Sequence, residues 1–134
     1  MSVAVGVVLA LIVGSMATVV GLDRDRALYP VVMIVIASVY ALFAVMGGST
    51  QVLIIESVVG AAFVGFALAG FKSTLWLVVA ALAAHGVFDL GHPYFYVNPG
   101  VPVWWPSFCL AYDVVAAAYL AWMLASKKVR ARAA

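Results

Sequence analysis

Five apolar runs, each close to one membrane thickness in length, are separated along the chain by short polar or turn-forming breaks. The first covers Val3 to Leu22 and stops at Asp23-Arg24-Asp25-Arg26. The second covers Tyr29 to Met46, starts beside Pro30 and stops at Gly47-Gly48-Ser49-Thr50, a tight-turn composition. The third, from about Gln51 to Phe71, contains Glu56 and the small residues Gly60, Ala61, Gly65 and Ala69 before Lys72-Ser73-Thr74 interrupts it. Leu75 to Leu90 is the fourth, and Phe108 to about Ala125 the fifth. Between those two lies a stretch with Pro93, Pro99, Pro102 and Pro106 among Tyr94, Phe95, Tyr96, Trp104 and Trp105, too interrupted by proline to be helical throughout. A crossing needs roughly 20 apolar residues. The pattern therefore predicts an all-α polytopic membrane protein: residues 1–134 as one transmembrane domain with helices at about 3–22, 29–46, 51–71, 75–91 and 108–125, and an aromatic, proline-rich segment at 91–107.

Composition narrows the class further. Of 134 residues, 68% are hydrophobic and 9% charged, and the mean hydropathy is +1.21, which no soluble globular domain tolerates. No basic residue precedes the first run, so it is expected to be a retained span and not a secretory signal. The helical runs lack the alternation that a transmembrane barrel requires.

Charge sets the expected orientation. Arg24, Arg26, Lys72, Lys127, Lys128, Arg130 and Arg132 are all seven of the cations, and five crossings would put every one on the same side. By the positive-inside rule that side is cytoplasmic, with the N-terminus outside and the C-terminus inside. The same rule accounts for the basic clusters without nucleic acid, and none is expected as a partner.

The carboxylates are distributed differently. Glu56, Asp89 and Asp113 lie within apolar runs, with no Lys or Arg in the spans to pair them. At 1.5 Å per residue, Glu56 and Asp113 each lie about 8 Å below the outer boundary. His85 falls at a similar depth, Asp89 nearer the surface, and Tyr40 in the same layer. His85 and Asp89 stand i, i+4 on one helix face. Pro93 disfavours helical geometry at His92, which is expected at the helix end, reaching the layer from above. An unpaired ion in hydrocarbon is costly, so these groups must be protonated, bonded to histidine or hydroxyl, hydrated, or neutralised by a bound cation.

Imidazole nitrogen with carboxylate oxygen suits zinc, iron or manganese. His85, Asp89, Asp113 and Glu56 are the candidate ligands, and Glu56 and His92 the candidate acid/base groups. The paired Glu-x-x-His motifs of carboxylate-bridged dimetal bundles are absent. Cys109 is the sole cysteine, a buried apolar residue or a thiol near Asp113 for a softer metal. Ser57 and Ser107 lack a nucleophile-elbow pattern, and no phosphate-binding glycine loop occurs.

The stretch His85-Gly-Val-Phe-Asp89-Leu-Gly-His92, followed by Pro102-Val-Trp-Trp-Pro106-Ser107-Phe-Cys109 and by Asp113, resembles a pattern in small bacterial multi-pass membrane proteins of unassigned function. The resemblance covers the C-terminal third and maps a His-x-x-x-Asp-x-x-His helix end, a Trp/Pro loop and a further Asp onto His85, Asp89, His92 and Asp113. The pattern commonly has a second His directly before the last, where this chain has Gly91. It implies a site without implying a reaction.

Three functions fit these features. One is a membrane metalloenzyme acting on a lipid or other hydrophobic small molecule, with Glu56 or His92 as acid/base. Another is a proton- or cation-coupled carrier using the same carboxylates. The third is an accessory subunit of a larger membrane complex, or a homo-oligomer. The inner halves of the spans offer only Ser15, Thr18 and a few other weak polar groups, so a continuous channel is disfavoured.

Overall fold

Helices form where the apolar runs lie: α1 (Ser2–Val20), α2 (Leu28–Met46), α3 (Thr50–Lys72), α4 (Trp76–Phe95) and α5 (Trp105–Ala125). The computed structural model describes residues 1–131; Arg132, counted above with the basic tail, lies outside the described residues. All of α1, α2, α3 and α5 are long and apolar enough to cross a membrane. Helix α4 has the length, at 20 residues, but His85, Asp89, His92 and Pro93 dilute its apolarity. Valine, leucine and isoleucine side chains cover the outside of the bundle, and its buried residues include Glu56, His85, Asp89, His92 and Asp113. Such an arrangement suits a hydrocarbon solvent and not water.

Packing follows residue size. On α1, Gly6, Ala10, Gly14 and Ala17 form the buried stripe, and this stripe lies on α5. A Cβ at Gly6 would strike the Phe108 carbonyl oxygen, and one at Gly14 would stand 3.2 Å from the Tyr119 ring. Small residues let helix backbones approach closely in a membrane, where dispersion contacts replace hydrophobic burial as the source of cohesion. The remaining principal pairings are α2 with α3, α4 with α5, α3 with α4 and, less extensively, α2 with α4.

One end of the bundle gathers the cations. Arg26, in a left-handed backbone conformation at φ 72°, donates from its guanidinium to the Arg130 carbonyl at 2.7 Å and the Phe71 carbonyl at 2.9 Å. Carbonyls at a helix C-terminus lack intrahelical donors, and a cation there also complements the helix dipole. The α1–α2 loop, the end of α3 and the tail thus meet at one end. Beside it lies an apolar core that includes Met33, Leu75, Val78, Leu82, Leu120 and Met123.

The opposite end is closed by the proline-rich segment, which is shorter than the pattern predicts. Helix α4 continues through Pro93 to Phe95, and α5 starts at Trp105 with Pro106 in its first turn. An interior proline removes a helix hydrogen bond and crowds the carbonyl four residues back, here that of Asp89. The last turn of α4 persists because His92 and Tyr96 are both tied to Glu56 on α3. Gly100 lies directly against the Phe43 carbonyl, an approach that leaves no room for a side chain. Asn98 donates to the Tyr40 carbonyl at 3.1 Å and fixes the same segment on α2.

Candidate functional site

Two polar networks occupy the half of the bundle away from the cations. Helix geometry builds the first. His85 and Asp89 are one turn apart on α4, Cys109 and Asp113 one turn apart on α5, and these two helices pack face to face. Gly86 keeps the interface close, since a Cβ there would lie 3.3 Å from that of Asp113. His85 Nδ1 lies 2.8 Å from Asp113 Oδ2 and 3.5 Å from Asp89 Oδ2. The carboxylates accept, so the ring proton belongs on Nδ1. Tyr40 donates its hydroxyl to Asp89 Oδ1 at 2.6 Å.

One ligand atom from each of His85, Asp89, Cys109 and Asp113 falls within 4.8 Å of the others, and all four residues are buried. Asp89 Oδ2 and Asp113 Oδ1 are sealed from solvent without a hydrogen-bond partner. Leaving a buried acceptor unmet costs about 1–3 kcal/mol, and more for a charged one. Ligands bound to zinc at 2.0–2.3 Å stand about 3.3–3.8 Å apart, so roughly 1 Å of contraction at the widest pair would close the group on an ion.

The second network centres on Glu56. Its Oε1 accepts from His92 Nε2 at 2.8 Å and Asn98 Nδ2 at 2.8 Å, and its Oε2 accepts from the Tyr96 hydroxyl at 2.8 Å. Ser49 caps α3 by accepting from Val52 N at 3.3 Å, which sets the start of the helix and the inward register of Glu56 seven residues on.

Comparison with known proteins adds no relative. No protein-family model, curated protein or solved structure matches this chain. The chemistry has to be read from its side chains.

The structure thus brings His85, Asp89 and Asp113 together and leaves Glu56 beside that group but outside it. Glu56 is paired with His92 and is not a member of the four-residue group. His92 lies at the end of α4 as expected, in its last turn, but is itself helical and buried with His85 and Asp89, the helix continuing through Pro93. Tyr40 joins the two networks: its hydroxyl bonds Asp89, its carbonyl accepts from Asn98, and its ring lies 4.4 Å from that of His92. The crevice between Tyr40, Glu56, Phe63 and His85 is too narrow for a water molecule. Phe63 stands edge-on to His85, with ring centroids 4.8 Å apart, and excludes water from that side.

Asn98 is the partner that the sequence reading lacks. Nothing local marks it, because its role depends on the segment folding back onto α2 and α3. The i, i+4 spacing of Cys109 and Asp113 does mark the thiol as a companion of that carboxylate, and the structure makes Cys109 the fourth member of the group.

On the outside of the same wall, Cys109 lines an apolar trough of about 330 Å³ with Leu9, Val35, Trp105, Phe108 and Tyr112. The trough runs between α1, α2 and α5. It continues past Leu9, Trp105 and Phe108 into a wider recess of about 760 Å³ near Met1 and Trp104.

Proposed function

We propose that this chain is a five-span membrane protein, N-terminus outside and C-terminus cytoplasmic, that binds a divalent transition metal in the outer half of its bundle and acts on a lipid or other hydrophobic molecule. The observation that carries this reading is the buried His85, Asp89, Cys109 and Asp113 group with its two unmet carboxylate oxygens. A cation would neutralise charge that no Lys or Arg is near enough to balance. Thiolate and imidazole favour zinc or iron over manganese. The uncharged trough against Cys109 offers an approach from the bilayer and supports a hydrophobic substrate. The resemblance to small bacterial multi-pass proteins belongs to the same reading.

Elemental analysis of detergent-purified protein by mass spectrometry tests it. About one equivalent of zinc or iron per chain is expected. Metal-free protein whose thermal stability is unchanged by added zinc, iron or manganese would remove this reading.

A proton-coupled carrier is the second reading, and Tyr40 is the observation that favours it. Its contacts link Glu56 and His92 to Asp89, His85 and Asp113 through one residue. In that case Asp113→Asn would keep the fold and abolish pH-dependent transport, with no metal in wild-type protein.

The proposed orientation has its own check. In a Cys109→Ala background, a cysteine at exposed Val103 is expected to react with a membrane-impermeant maleimide on intact cells. One at exposed Arg24 should react only after lysis. The reverse pattern would invert the topology.

A further inference from the structure

A recess separate from the metal group opens under the proline-rich segment. It has a volume of about 250 Å³ and is lined by His92, Tyr96 and Asn98 among apolar residues including Pro93, Val101 and Pro106. His92 is 2% exposed, with Nε2 committed to Glu56, and its Nδ1 has no hydrogen-bond partner among the described residues. A neutral ring that donates Nε2–H to Glu56 carries its lone pair on Nδ1, at the other side of the imidazole.

The walls of the recess are fixed in advance. Asn98 bonds both Glu56 and the Tyr40 carbonyl, Gly100 is lodged on the Phe43 carbonyl, and prolines stiffen the remainder. Such preorganisation lowers the cost of ordering on binding. The volume lies below the usual range for drug-sized ligands, which suits a small molecule and not a lipid chain. Electrostatics selects its charge. Glu56 accepts three hydrogen bonds, as an ionised carboxylate can, and every Lys and Arg of the described residues lies at the other end of the bundle or in its tail, while the α-amino group of Met1 lies near Trp104 and Trp105 at this end. Glu56, Asp89 and Asp113 outnumber that single amino group in this half of the bundle.

We propose that this recess is a binding site for a small alkylammonium ion, whose N–H donates to His92 Nδ1 while its alkyl part lies against Val101 and the prolines. The Glu56 carboxylate, behind the imidazole, fixes the acceptor tautomer and supplies the attraction for positive charge. The Tyr96 ring, 4.9 Å from that of His92, adds an aromatic wall that also favours a cation. The site goes beyond the metal reading and does not depend on it.

Nuclear magnetic resonance of ring-labelled histidine in lipid nanodiscs gives the test, since His85 and His92 are the only two histidines. Titration with butylammonium chloride is expected to shift the His92 resonance saturably and leave that of His85 in place, both before and after chelator treatment. 1-Butanol should bind at least tenfold more weakly. Val101→Trp, which adds bulk to the lining of the recess, should abolish the saturable shift. A His92 resonance that does not saturate, equal binding of 1-butanol, or unchanged binding in Val101→Trp would overturn the proposal.

Discussion

Asp113→Ala is expected to yield protein with less than a tenth of the wild-type metal content and a stability lower by about 3–5 kcal/mol, the cost of breaking a buried ion pair by removing one partner. Asp113 is fully buried, and its Oδ2 takes the His85 Nδ1 proton at 2.8 Å. Without it His85 keeps only the longer 3.5 Å contact to Asp89. The alanine keeps the Cβ that faces Gly86 but leaves the space of the carboxylate empty between α4 and α5. Metal loss and destabilisation should appear together, because a metal that binds the folded state alone adds its binding energy to folding. Asp113→Asn separates the effects. It restores volume and one acceptor, so most of the stability should return, but a neutral amide is a poor ligand and metal should stay low. Elemental analysis and thermal unfolding of the two variants measure both quantities. Full metal occupancy in Asp113→Ala would exclude Asp113 from the ligand set.

Glu56→Ala should cost a comparable amount, about 3 kcal/mol, and leave the metal content at the wild-type level. Three donors lose their acceptor at once: His92 Nε2, Asn98 Nδ2 and the Tyr96 hydroxyl. Tyr96 is partly exposed and can turn to water, and Asn98 retains the Tyr40 carbonyl. His92 has neither recourse. The last turn of α4, already short of a hydrogen bond at Pro93, loses the tether that holds it. Limited proteolysis within residues 96–104 should therefore accelerate in Glu56→Ala, and unfolding should begin at lower temperature. A fall in metal content matching that of Asp113→Ala would mean that Glu56 belongs to the metal group after all. The contrast between the two variants measures how far the networks are independent. Tyr40→Phe, which removes only the hydroxyl on Asp89, probes the residue that joins them.

The sequence by itself determined the number and approximate limits of the helices, because apolar runs of membrane length separated by turn residues admit little else. It also determined that polar groups would gather away from the cations. Helical spacing puts His85 beside Asp89, and the antiparallel order of short-looped helices brings Asp113 to their level. Which polar groups then touch was decided only by tertiary structure. Depth along a helix is linear in residue number, but the direction a side chain faces depends on how each helix is rotated against its neighbours. Small residues such as Gly86 set that rotation, together with the Ser49 cap that fixes the start of α3. Glu56 and Asp113, expected at one depth, face different partners for this reason. The path of residues 96–104 was equally nonlocal: proline marks where a helix is weakened, and the bonds from Glu56 to His92, Tyr96 and Asn98 decide that α4 survives to Phe95 and where the segment lies.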